Sequence, residues 1–131
     1  MCCIDFTAGT LLFAGAKLSL FKMSGSEIEM VKGDRQSIGY KRSPEQFAFT
    51  NHQIAYHRDT NFYIATDGYV DQIGQETGAR FGTQRFKALL EAQRLRPFDE
   101  QREAFIHAFE TYRGQRTRLD DVTVLGFRIP D

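Results

Sequence analysis

Hydrophobic and polar positions alternate with a period of two through much of the first half of the chain and change to helical spacing only late. Residues 2–6 and 11–16 read as two short strands, with Thr7-Ala8-Gly9-Thr10 turning between them. Leu18 and Leu20 alternate with Lys17 and Ser19, Ser24-Gly25-Ser26 makes a tight turn, and Ile28 and Met30 alternate with Glu27 and Glu29. That pattern predicts a hairpin with one wet face. The stretch KGDRQSIGYKRSPE reads as a loop, punctuated by Gly33-Asp34 and Gly39 and stopped by Pro44. Weak alternation over 46–56 predicts another strand, Arg58-Asp59 turns the chain, and residues 60–66 form an apolar strand that ends abruptly at Asp67-Gly68.

The segment GQETGARFG is too polar and glycine-rich for a regular element. After it, Thr83 is placed to cap a helix with Phe86, Leu89 and Leu90 on one face, and Pro97 ends the connection. Asp99 is placed to cap a second helix carrying Phe105, Ile106, Phe109 and Tyr112 at helical spacing, with Gly114 at its C-terminal end. Such stripes belong to a packed core. Residues 122–129 are apolar on both faces, Val122 and Val124 on one and Leu125, Phe127 and Ile129 on the other, which predicts a central strand covered on both sides. The expected fold class is α+β, an antiparallel sheet system with helices packed to one side.

A length of 131 residues suits one domain, and 12 Phe and 5 Tyr supply a core. Seventeen basic residues balance seventeen acidic ones, which argues against a nucleic-acid protein and against a disordered chain. The cluster Arg113, Arg116 and Arg118 reads as solvated surface. Cys2 and Cys3 are adjacent, do not bridge, and fit a reducing, cytoplasmic compartment. No secretory signal and no apolar run of membrane-spanning length are present, so no membrane contact is expected.

The candidate chemistry is acidic. In FYIATDGYVDQIG, Asp67 ends a buried strand and Asp71 follows four residues later; in RLDDVTVLGFRI, Asp120 and Asp121 stand directly before another apolar run. Asp-Gly alone is an ordinary turn signal. If strands 60–66 and 122–129 are antiparallel neighbours, however, both acidic lips reach one edge of the sheet. Carboxylates gathered there repel unless a cation sits between them, and oxygen-only ligands select Mg²⁺ or Mn²⁺. Gly68 would let its carbonyl approach such an ion with no Cβ in the way.

These two stretches, with LLFAGAKLSLF and RQSIGY upstream of them, resemble the closing motifs of the metal-dependent PPM (type-2C-like) protein phosphatases, in the bacterial SpoIIE/RsbU-like branch. The resemblance implies an antiparallel β-sandwich with flanking helices, here lacking the N-terminal strands, so that residues 1–131 form the C-terminal part of one phosphatase domain. It implies hydrolysis of phosphoserine or phosphothreonine in a protein at a centre of two Mg²⁺ or Mn²⁺ ions. Asp67, Gly68 and Asp120 match metal-binding positions. Asp71 and Asp121 match outer positions or a third metal, and Thr66 would buttress the Asp67 carboxylate. The partners implied are a phosphorylated regulatory protein of the anti-sigma-antagonist type and an upstream sensor or receiver domain.

The family's early acid and its Asp-Gly-His-Gly motif have no counterpart here; His52, His57 and His107 lie in other contexts and read as structural. Two functions therefore stay open: a phosphatase whose activity belongs to a longer polypeptide, and a scaffold of the same fold that binds a regulatory partner without chemistry. Missing strands would leave open sheet edges, which predicts a homodimer or larger assembly.

Overall fold

The computed structural model describes residues 1–39 and 46–130, so the end of the predicted loop, with Pro44, lies outside the described residues. Strands β1 (Cys2–Asp5), β2 (Thr10–Phe13), β3 (Leu18–Ser24), β4 (Glu27–Lys32), β5 (His52–Ala55) and β6 (Asn61–Thr66) come first. The helical turn α1 (Asp67–Val70), helices α2 (Gly82–Gln93) and α3 (Phe98–Arg113), and strand β7 (Val124–Arg128) follow. The strands make two antiparallel sheets, one ordered β1-β2-β5 and the other β4-β3-β6-β7.

The layers follow from alternation within β3 and β6. Leu20 and Phe62 point between the two sheets, into a core with Leu11, Phe13, Ile54 and Ile129. Phe21, Met23, Tyr63 and Ala65 point the other way, into a core with Phe86 and Leu90 of α2 and Phe105 and Phe109 of α3. The four-stranded sheet is therefore the middle layer of a three-layer stack. Each large side chain so buried contributes roughly 1.5–3 kcal/mol. The Tyr63 hydroxyl, buried in this layer, donates to Gln101 Oε1 of α3 at 2.7 Å, which satisfies a polar group whose burial would otherwise be costly.

Several sequence expectations are corrected in detail. Strand β7 lies at the edge of its sheet and not at its centre, and Leu125 is 55% exposed. Its apolar faces still meet both cores: Val122 and Val124 pack towards the helices, Phe127 and Ile129 between the sheets. The strand expected over 46–56 is confined to β5, because Thr50 turns its N–H and hydroxyl to the Asp34 carboxylate, at 2.7 and 3.0 Å, and not to a neighbouring strand. Helix α2 begins one residue before Thr83, and α3 is entered from Pro97 and not capped by Asp99. Ile106, on the expected apolar stripe, is 46% exposed. Gly114 does end α3, with φ +57° and its N–H on the Glu110 carbonyl.

Candidate metal-binding rim

Register decides where the acids go. Strands β6 and β7 pair up to Ala65 opposite Val124, and the Thr66 N–H continues the ladder by donating to the Thr123 carbonyl at 3.0 Å. Asp67, just past the end of β6, thus arrives beside the residues that lead into β7, with Asp120 and Asp121 among them. Asp67 opens α1 and does not sit in a hairpin turn. The local sequence explains this. Tyr69 is 2% exposed and packs at ring distances of 5.1–5.2 Å from Phe81, Phe86 and Phe109. Its hydroxyl donates to the Phe105 carbonyl at 2.6 Å, and burial pushes its phenol far above the usual range. That anchor pins α1 to the core and leaves Asp67, two residues earlier, at the rim.

Gly68 is required by close backbone approach. A Cβ there would lie 2.1 Å from the Asp121 carbonyl oxygen and 3.3 Å from Val122 Cγ2. The glycine lets α1 and the entry to β7 touch, main chain to main chain, which holds the two acidic lips together. Thr66 reinforces the same joint. Its hydroxyl donates to the Asp121 carbonyl at 3.1 Å and accepts from the Thr123 N–H at 3.0 Å. The expectation that Thr66 buttresses the Asp67 carboxylate is not met, because its hydroxyl is committed to the β7 backbone.

The rim is electrostatically crowded. Asp67 keeps much of its surface in solvent, yet its carboxyl is held above the ordinary range. Partial burial is the main cause, the negative charges of Asp71 and Asp120 add to it, and the Lys17 ammonium opposes it. Asp71 caps α1, its N–H on the Asp67 carbonyl at 2.9 Å, and its carboxylate lies 3.7 Å from Arg80. One Asp120 carboxylate oxygen accepts from the Asp121 N–H at 2.7 Å. The Asp121 side chain is exposed.

The oxygen donors of Asp67 and Asp120 are of the type that hard divalent cations select. Among the described residues, though, no group of three or more Asp, Glu, His or Cys side chains stands close enough to hold an ion. These residues do not by themselves fit a metal centre.

Beside Asp67 opens a cleft of about 590 Å³, whose lining includes the basic residues Lys17, Lys32 and Arg35 and the acidic residues Asp34, Asp67 and Asp71. The basic residues of this lining carry no mark in the sequence, where Lys17 belongs to the wet face of a hairpin. Their grouping depends on pairing register: Lys32 lies opposite Ser19, close to Lys17, and Arg35 follows shortly after.

The description "Stage II sporulation protein E (SpoIIE)" matches residues 1–130. The SiaA PP2C domain of Pseudomonas aeruginosa is 36% identical over 94% of this chain and 48% of its own, with a TM-score of 0.82. The phosphatase domain of the cell fate determinant SpoIIE from Bacillus subtilis shares the fold at 14% identity, covering 100% of this chain and 57% of its own, with a TM-score of 0.72. A manganese-presoaked structure of that domain superposes at 16% identity with a TM-score of 0.69, over 100% of this chain and 55% of its own. This chain therefore spans about half the length of the phosphatase domains it matches. No match is found among curated protein sequences. With its two antiparallel sheets, its helices on one face and a match along nearly all of its length, the chain belongs to the SpoIIE family of PP2C-like phosphatase domains.

Proposed function

We propose that residues 1–131 are the C-terminal part of a PP2C-type domain that removes phosphate from phosphoserine or phosphothreonine in a regulatory protein, in a Mg²⁺- or Mn²⁺-dependent reaction. The observation that carries this reading is the β6–β7 register, which brings Asp67 and the Asp120-Asp121 pair to one sheet rim. Gathered carboxylates raise one another's proton affinity, and the same gathering attracts a divalent cation. A manganese-presoaked relative supports the choice of metal. The further ligands that two carboxylates lack would come from elsewhere in a longer polypeptide, and catalysis belongs to that polypeptide.

By the family's usual arrangement, the substrate is a phosphorylated protein of the anti-sigma-antagonist type, and an upstream sensor or receiver domain sets the activity. The setting proposed is cytoplasmic, where the free thiols of Cys2 and Cys3 would stay reduced.

The decisive experiment replaces Asp67 by Asn in the full-length protein and follows Mn²⁺-dependent phosphate release from a phosphothreonine substrate. Turnover should fall by roughly a hundredfold or more, the scale on which charge-stabilising groups act in catalysis. Unchanged turnover would remove the phosphatase reading.

A further inference from the structure

The strand register that places Asp67 also places a cation. Strand β3 pairs with β6 up to Leu18 opposite Thr66, so Lys17 stands across from Asp67 at the same sheet end. Lys17 has φ +55°, a left-handed conformation that residues with a Cβ rarely adopt. Its backbone is held there from both sides: Lys17 N–H donates to the Asp34 carbonyl and Asp34 N–H donates to the Gly15 carbonyl, each at 2.7 Å. Gly33 packs so closely that a Cβ would sit 2.1 Å from the Leu18 carbonyl oxygen. A strained residue held this firmly at the mouth of a cleft is where function is sought.

The charges around the cleft are unequally committed. The Asp34 carboxylate is occupied by Thr50, and that of Asp71 is paired with Arg80. Lys17, Lys32 and Arg35 line the cleft, and among the described residues none of the three makes an ion pair. The Lys17 ammonium is near enough to favour ionised Asp67 without being bound to it. Of the cleft's three carboxylates, Asp34 is hydrogen-bonded by Thr50 and Asp71 is paired outside the cleft with Arg80, which leaves the basic side chains of the lining able to meet a small dianion; a lysine ammonium binds phosphate as a point charge.

We propose that Lys17 recognises the phosphoryl group of the substrate at this rim, with Lys32 and Arg35 providing positive potential behind it. The proposal rests on the phosphatase reading of the rim and adds how a phosphate monoester is held there. Lys17 is a substrate-binding residue in this scheme, and the brace between residues 15–17 and 33–35 fixes its height above Asp67.

The test uses the 131-residue chain without metal at low ionic strength, titrated with a phosphothreonine peptide and followed by backbone amide shifts. The phosphopeptide should bind, its unphosphorylated counterpart should not, inorganic phosphate should displace it, and the shifts should centre on residues 15–19 and 32–35. Lys17→Gly suits the positive φ, so it removes the ammonium without disturbing the backbone. It should weaken binding by about tenfold, the loss expected for one charge-assisted contact, without lowering the unfolding midpoint. Lys17→Arg should stay within about threefold of the parent, because the charge is kept. Undiminished binding by Lys17→Gly, or shifts centred on Arg113–Arg118, would overturn the proposal. Because no metal is present, this result and the Asp67→Asn turnover result can fail independently.

Discussion

At the scale of single residues, Asp67 carries an electrostatic cost that its proposed role would explain. Its folded carboxyl is raised above the ordinary range by burial and by Asp71 and Asp120, against the pull of Lys17. A carboxyl raised in the folded state contributes stability that is fully present below its unfolded value, about 3.9, and is lost as pH rises through the folded value. At neutral pH the ionised side chain is therefore a liability in the metal-free chain. Asp67→Asn keeps the shape and removes the charge. Urea midpoints should show the variant more stable than the parent at pH 7, by less than about 1 kcal/mol because solvent screens an exposed group. The gain should vanish below about pH 4, where the parent carboxyl is protonated. A variant less stable than the parent at pH 7 would mean that Asp67 is not under charge repulsion.

At the scale of elements, the acidic rim depends on α1 touching the entry to β7, and that contact passes through Gly68. Gly68→Ala would drive a Cβ to 2.1 Å from the Asp121 carbonyl oxygen. Overpacking of a fixed backbone typically costs about 1–3 kcal/mol. Denaturant unfolding should report a loss in that range, and amide shifts should change at residues 120–123 as the two lips part. An unchanged midpoint would show that the 120–122 backbone yields freely and that the rim is not fixed. Much at this scale was legible in the sequence. The Leu18–Met30 alternation is the β3–β4 hairpin, and the stripes with Phe86 and Leu90 and with Phe105 and Phe109 are the buried faces of α2 and α3. What was not legible depends on contacts far apart in the chain. A strand apolar on both faces reads as central, but β7 touches both cores from the sheet edge. Nothing in the sequence before Lys17 announces a positive φ, because the Asp34 and Gly15 carbonyls and the packing of Gly33 impose it. The acids of the rim are legible because they flank apolar runs; the basic residues of the cleft are not, because their grouping depends on pairing register.

At the scale of the whole molecule, fold and centre are separable. Two hydrophobic cores, one between the sheets and one beneath the helices, are assembled from the described residues. A complete metal centre is not, since no group of three or more Asp, Glu, His or Cys side chains among those residues stands close enough to hold an ion. Two carboxylates with solvent filling the remaining positions hold a divalent ion weakly, with a dissociation constant on the order of 1 mM, at the weak end for sites built from oxygen ligands. Calorimetric titration of the chain with Mn²⁺ should accordingly give one weak site, abolished by Asp67→Asn. At 10 mM Mn²⁺ such a site would raise folding stability by about 1.4 kcal/mol, visible as a shift in the thermal midpoint. Asp67→Asn should lose that shift, although at neutral pH it is the more stable protein without metal. The opposite rank order with and without Mn²⁺ is a signature that a purely structural Asp67 would not produce. Two tight sites in the isolated chain would show instead that it carries a complete centre, and would move catalysis from the longer polypeptide to these 131 residues.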